Sequence, residues 1–325
     1  MSNLEVPRKM VALAMLQYGS GAAITALLHP FGYAKVLMQV GHEPLLPERA
    51  KTFFLRKEVL VYPNIFKYIA HIKKVDGLWG LYRGVLPRIV AGTLGNLVQY
   101  NIQNRIKLSQ EKKTPTETER SHDKIDEDFV AWLKVFAKET SEDTLSRCCG
   151  VIVSHPFHVI MVRCMVQFIG REDKYDSIYS SIKEIFDRDG ILGFFVGLIP
   201  RLIGEVIAIW LTSFLTQVIN KYMVQEKDVQ SYTGAACGLI VSQFTYPFTL
   251  VTNIMAVNNC GLVGGQFPQM PTYSNWFDCM RSLSQEGELK RGASAFWRAY
   301  KPNPYLTIIS RGPAFGSPYG QGKLN

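Results

Sequence analysis

The sequence has no Cys-x-x-Cys pair, although it carries 6 cysteines, at positions 148, 149, 164, 237, 260 and 279. Nor do those cysteines and the 6 histidines fall at metal-ligand spacing. Zinc, iron–sulfur and thioredoxin-type sites are therefore not expected, and no metal or cofactor is assigned. The cysteines read as small packing residues in or near apolar segments. No nucleophile and base converge, since the carboxylates and histidines lie in loops or on single helices, and this argues against an enzyme. Residues 1–10 hold only Arg8 and Lys9 as basic groups, with Glu5 and Pro7 among them. That is a poor match to a secretory leader or to an Arg-rich presequence. There is no basic patch interleaved with stacking aromatics. The net charge of +9 thus points to an anionic lipid surface and not to nucleic acid.

Long apolar segments are present, although the mean hydropathy over 325 residues is only +0.03. The average hides a division between apolar segments and charged loops, so each segment must be read singly. Spanning helices are expected over 11–40, 85–108, 143–170, 197–222 and 230–257. Short amphipathic helices lying on the membrane surface are expected over 63–75, 129–138, 175–186 and 273–284. The stretches 109–128 and 301–325 read as flexible segments. Pro302, Pro304, Pro313 and Pro318 in the second leave no room for a sixth span.

The segments carry a repeat. His29-Pro30-Phe31 returns as His155-Pro156-Phe157 and as Tyr246-Pro247-Phe248. Proline within a helix removes one backbone hydrogen bond and bends it, so each copy predicts a bent helix. Downstream of each proline stands an acidic residue followed by glycine: Asp76-Gly77, Asp189-Gly190 and Glu286-Gly287. The repeats are expected over 1–108, 129–222 and 230–300, the third incomplete, within one domain covering 1–325.

This pattern resembles the mitochondrial carrier family, whose motif runs P-x-[DE]-x-x-[KR], then a short helix, then [DE]-G-x4-[aromatic]-[KR]-G. The second half is complete once, from Asp76-Gly77 to Tyr82-Arg83-Gly84. It is nearly met from Asp189-Gly190 to Phe195-Val196-Gly197. After Glu286-Gly287 the aromatic–basic pair is expected at Phe296–Arg298. The first half is damaged. Its acid positions hold Gly32, His158 and Thr249, and its basic positions hold Lys35, Met161 and Thr252. One charge of six survives, too few for the salt-bridge ring that closes a carrier's transport path.

The loss is similar to that in the divergent carrier homologs of this family. The resemblance implies an all-α, multi-pass protein of the mitochondrial outer membrane, a three-repeat bundle lacking the sixth transmembrane helix. It also implies insertion of tail-anchored and other α-helical membrane proteins, and docking of a truncated BH3-only protein. With one wall missing between the fifth and first spans, a polar groove is expected to open sideways into lipid. The candidate groove residues are Lys35, Gln39, Gln99, His158, Arg163, Gln167, Glu205, Gln217 and Asn253. Charges within a bilayer cost about 2.5–3.5 kcal/mol on insertion scales and usually line wet cavities. Structural alternatives stand beside these. Arg88 and Arg201 can snorkel, His29 and His155 can satisfy freed backbone groups, and Lys35 can neutralise Glu205. A passive receptor, a dimeric solute carrier and a lipid scramblase are the competing functions.

Overall fold

A computed structural model describes residues 19–51, 58–111, 129–224 and 226–300. The stretch expected to hold no sixth span, with most of both expected flexible segments, lies outside these residues. Residues 19–27 are helical and lead into α1 (His29–Gln39), with Pro30 in its first turn. Two short strands follow, β1 (Glu48–Lys51) and β2 (Glu58–Tyr62). Then come α2 (Ile65–Gly80), α3 (Val85–Glu111) and α4 (Phe129–Gly170). The chain continues through α5 (Ile178–Asp189), α6 (Leu198–Tyr222) and α7 (Lys227–Val257). It closes with α8 (Trp276–Gln285) and β3 (Arg298–Ala299).

Three points of the sequence reading need correction. Phe129–Lys138 is not a separate short helix but the first turns of the 42-residue α4, because the stretch after it contains neither glycine nor proline to end the helix. The connection over 41–62 contains β1 and β2, which pair antiparallel, and β3 joins them as the third strand. The fold is therefore helical with one small sheet. Among the described residues three helical stretches are long and apolar enough to cross a membrane: 132–170, 191–222 and 229–257. The helix α3 has the length, at 27 residues, but Gln99, Asn101, Gln103, Asn104 and Arg105 interrupt its apolar character.

The short helices start by one device. Asn64 caps α2, Ser177 caps α5 within a capping box, and Asn275 caps α8. Each side chain accepts a bond from an amide three residues on, satisfying a donor the helix leaves free. The core lies where the three proline-bearing helices converge. Tyr33, Leu37, Val159, Val162, Leu250 and Ile254 are fully buried there. Elsewhere the bundle packs through small residues. A Cβ on Gly150 of α4 would come within 2.6 Å of the Gly95 carbonyl oxygen of α3, so the two backbones approach closely.

Candidate functional site

The three acidic–glycine pairs share one conformation. Gly77, Gly190 and Gly287 have φ of 76°, 67° and 67°, a region that favours glycine. A second left-handed glycine follows each: Gly84, Gly197 and Gly292. These second glycines seat the loop of one repeat on a helix of the next. A Cβ would lie 3.0 Å from the Met161 carbonyl oxygen at Gly84 and 2.8 Å from that of Thr252 at Gly197. At Gly292 it would lie 3.0 Å from Gln39 Cγ. The third contact runs from the last repeat back to the first.

The residue ahead of each proline makes the matching bond. His29 Nε2 donates to the Arg83 carbonyl at 2.9 Å and His155 Nε2 to the Val196 carbonyl at 3.0 Å. The Tyr246 hydroxyl donates to the Arg291 carbonyl at 2.6 Å. The acceptors are the residues immediately before Gly84, Gly197 and Gly292. Arg291-Gly292 is thus the basic–glycine pair of the third repeat. The expected pair at Phe296–Arg298 is corrected, and Arg298 belongs to β3.

These loops enclose a polar floor at the proline end of the bundle. His158 Nε2 donates to Asn253 Oδ1 at 3.0 Å, and Asn253 Nδ2 donates to Gln39 Oε1 at 2.7 Å. Gln39 Nε2 donates to the Tyr246 hydroxyl at 2.9 Å, which passes the chain to Arg291. Every step has one donor and one acceptor, so the chain is satisfied without a charge. It ties α4 to α7 and α7 to α1 close to the positions where a carrier's charge pairs are expected, and His158 is the one member that occupies such a position. Lys35 is exposed, its ammonium 5.2 Å from the centre of the Tyr246 ring. Gly32 leaves room for the Arg88 guanidinium.

Further along the helices a cavity of 430 Å³ opens between α3, α4, α6 and α7. Gln99, Gln103, Asp143, Arg147, Thr212, Ser213, Ser242 and Thr245 set polar groups into a wall whose exposed surface is mostly apolar, and no residue of α1 contributes. Arg147 donates to Glu205 through Nε at 3.1 Å and Nη2 at 3.4 Å, and to Gln99 Oε1 at 3.3 Å. Among the described residues no three His, Cys, Asp or Glu side chains group as a metal site.

The family model for mitochondrial carrier protein matches residues 7–113 and 143–227, more than half of the chain. The chain belongs to the mitochondrial carrier family. Within it, the chain is similar to Mitochondrial carrier homolog 2 of Bos taurus, at 41% identity over 86% of this chain and 91% of that protein. It is similar also to Mitochondrial carrier homolog 1 of Mus musculus, at 40% identity over 86% of this chain and 75% of that protein. Mitochondrial thiamine pyrophosphate carrier of Macaca fascicularis is more distant, at 24% identity over 91% of this chain and 86% of its own length. Family and apolar helices together make this a mitochondrial membrane protein of carrier type. The family match stops before the third repeat, where the basic–glycine pair follows its acidic–glycine pair at a shorter interval.

The structure sorts the candidate residues into three groups. Gln39, His158 and Asn253 form the floor, with Lys35 beside it. Gln99 lines the cavity, and Glu205 holds Arg147 there. Arg163 and Gln167 line neither the floor nor the cavity. Arg163 is 1% exposed and pairs with Asp189 at 2.8 Å, with the Tyr175 hydroxyl at 3.3 Å and with the Ala256 carbonyl at 2.9 Å. In the first repeat Arg83 pairs with Asp76 at 3.2 Å. In the second, Val196 stands where that base would be, so Asp189 finds Arg163 instead. Gln167 accepts from the Tyr175 amide and donates to Asp176, bracing the same loop. Gln217 is half-buried and away from the cavity lining. Sequence reasoning missed Arg147, Asp143 and Tyr246. The position of Tyr246 in the repeat, equivalent to His29 and His155, was the available signal.

Proposed function

We propose that this protein inserts α-helical proteins, tail-anchored ones among them, into the mitochondrial outer membrane as a multi-pass protein. The observation that carries the reading is the open, charged cavity of 430 Å³ among membrane-length helices. A wet groove lowers the cost of drawing polar flanking residues across a bilayer, while the apolar helix of the substrate moves into lipid. The step is a transfer and needs no covalent chemistry. The uncharged floor supports the same reading, because it replaces the charge pairs of an alternating-access gate with a closed set of hydrogen bonds. The likeness to the carrier homologs also agrees with it.

The test is insertion of a tail-anchored protein by the purified chain in liposomes, set against empty liposomes. Protease-protected substrate is expected only with the protein present. Equal protection in both would sink the reading. Binding of a BH3 protein without any insertion would favour the receptor alternative.

A further inference from the structure

Resting on the insertion reading, we infer that Asp143 is a specificity-determining residue that selects substrates with basic residues flanking their membrane helix. The cavity carries few charges, and most are spent within it. Arg147 and Glu205 neutralise one another through a two-point contact, with Gln99 on the third side of the guanidinium. Asp143 is different. Its carboxylate receives one long bond, 3.4 Å from Gln103 Nε2, and among the described residues no cation is ion-paired with it. It is also exposed on the cavity wall. Arg105 and Lys107, further along α3, are exposed as well and do not pair with it. The net charge that the lining shows to an entering group is therefore negative.

The other end of the path has the opposite sign. Arg201 lies one turn before Glu205 on α6, and its Nη1 donates to His155 Nδ1 at 3.3 Å. Arg88 lies over Gly32 of α1. Two guanidinium groups thus stand by the floor. A lysine or arginine beside a substrate helix is drawn in at Asp143 and turned back at Arg201 and Arg88. It has no through-path, so it leaves sideways with its helix. An acidic flank is opposed at the entrance. Opposite charges a few ångströms apart steer encounter in this way, and salt weakens the effect.

The experiment uses the purified full chain in liposomes with two tail anchors identical except for lysine or glutamate flanks. Each is followed by insertion rate and by capture on a photo-crosslinker placed at position 212, on the α6 wall of the cavity. The wild type is expected to favour the lysine-flanked anchor roughly threefold, the order for one partly screened charge. Asp143→Asn should remove the preference and Asp143→Lys should invert it. Gln103→Asp, which adds a second acid beside the first, should increase it. High salt should shrink every ratio. A ratio unchanged in Asp143→Lys, or an equal loss for both anchors, overturns the assignment. Should the wild type insert neither anchor, the insertion reading fails, and the crosslinking ratio still decides for or against cation selection.

Discussion

At the scale of single residues, Arg163 shows how a charge deep in a helix can be wholly structural. Its three partners come from the second repeat's loop and from the end of α7. Asp189 is 24% exposed and keeps Arg188 at 3.7 Å, so the cost of removing Arg163 falls below that of stranding a fully buried charge, to about 2–3 kcal/mol. Arg163→Ala is therefore expected to lower stability by that order and to reduce the amount of folded protein. Insertion per folded molecule should stay equal for basic-flanked and acidic-flanked anchors. Arg163→Lys should recover little, because one ammonium cannot reproduce the planar set of contacts. Thermal unfolding in detergent, with insertion normalised to folded protein, checks this. A selective loss for one flank charge would return Arg163 to the substrate path.

At the scale of elements, the turn after α1 and the small sheet fasten the third repeat to the first. Arg298 of β3 is buried, ion-paired with Glu43, and donates to the Pro63 carbonyl. Beside it, burial pushes the His42 imidazole down to about 4, with the charge of His71 adding to the effect. Burial pushes the Glu43 carboxyl up to about 7, against the pull of Arg298. The two act in opposite directions. His42 binds fewer protons folded than unfolded, so its contribution is complete above 6.5 and is lost as pH falls toward 4. Glu43 binds more protons folded, so its contribution is complete below 4.5 and is lost as pH rises through about 7. Comparing wild type with His42→Phe isolates the first. The variant should gain relative stability as pH drops from 6.5 to 4, by at most about 3 kcal/mol. The Tyr68 hydroxyl bonds the His42 backbone carbonyl at 2.8 Å, a contact the variant keeps. A pH-independent difference would show that the imidazole titrates normally in the fold.

At the scale of the whole molecule, the three repeats close into a ring of contacts. Loop one sits on α4, loop two on α7, and loop three returns to α1 through Gly292 and Arg291, whose Nε donates to the Gln39 carbonyl at 2.8 Å. The seam between α1 and α7, where the sequence leads one to expect a lateral gap, is bridged at the proline end by Gln39, Asn253 and Tyr246. The bundle is therefore closed at that end. A carrier opens its floor by exchanging charge pairs, and this floor has none to exchange. Proteoliposomes holding the purified chain should show no saturable, substrate-specific exchange of metabolites or nucleotides. Saturable uptake abolished by Asn253→Leu would mean that the neutral chain opens as a gate.

The sequence by itself determined the repeat, the family and the nature of most elements. Prolines, acidic–glycine pairs and apolar lengths are local signals, and each has a direct backbone consequence. It also showed that the charges of a carrier gate are missing, because that follows from residue identity at fixed spacing. It did not show what took their place. The chain His158–Asn253–Gln39–Tyr246 joins residues more than 200 positions apart in places, and no periodicity links an amide on one helix to a hydroxyl on another. The pairing of Arg163 was equally hidden, since it depends on Val196 leaving Asp189 without its usual partner. Arg291-Gly292 was in plain view but out of register, and only the bond from Tyr246 identifies it. Whether a charge faces a cavity, a carbonyl or another charge depends on helices brought together across the repeats. The tertiary structure alone decides that, because the same polar residue is stable in each setting once its partner is within reach.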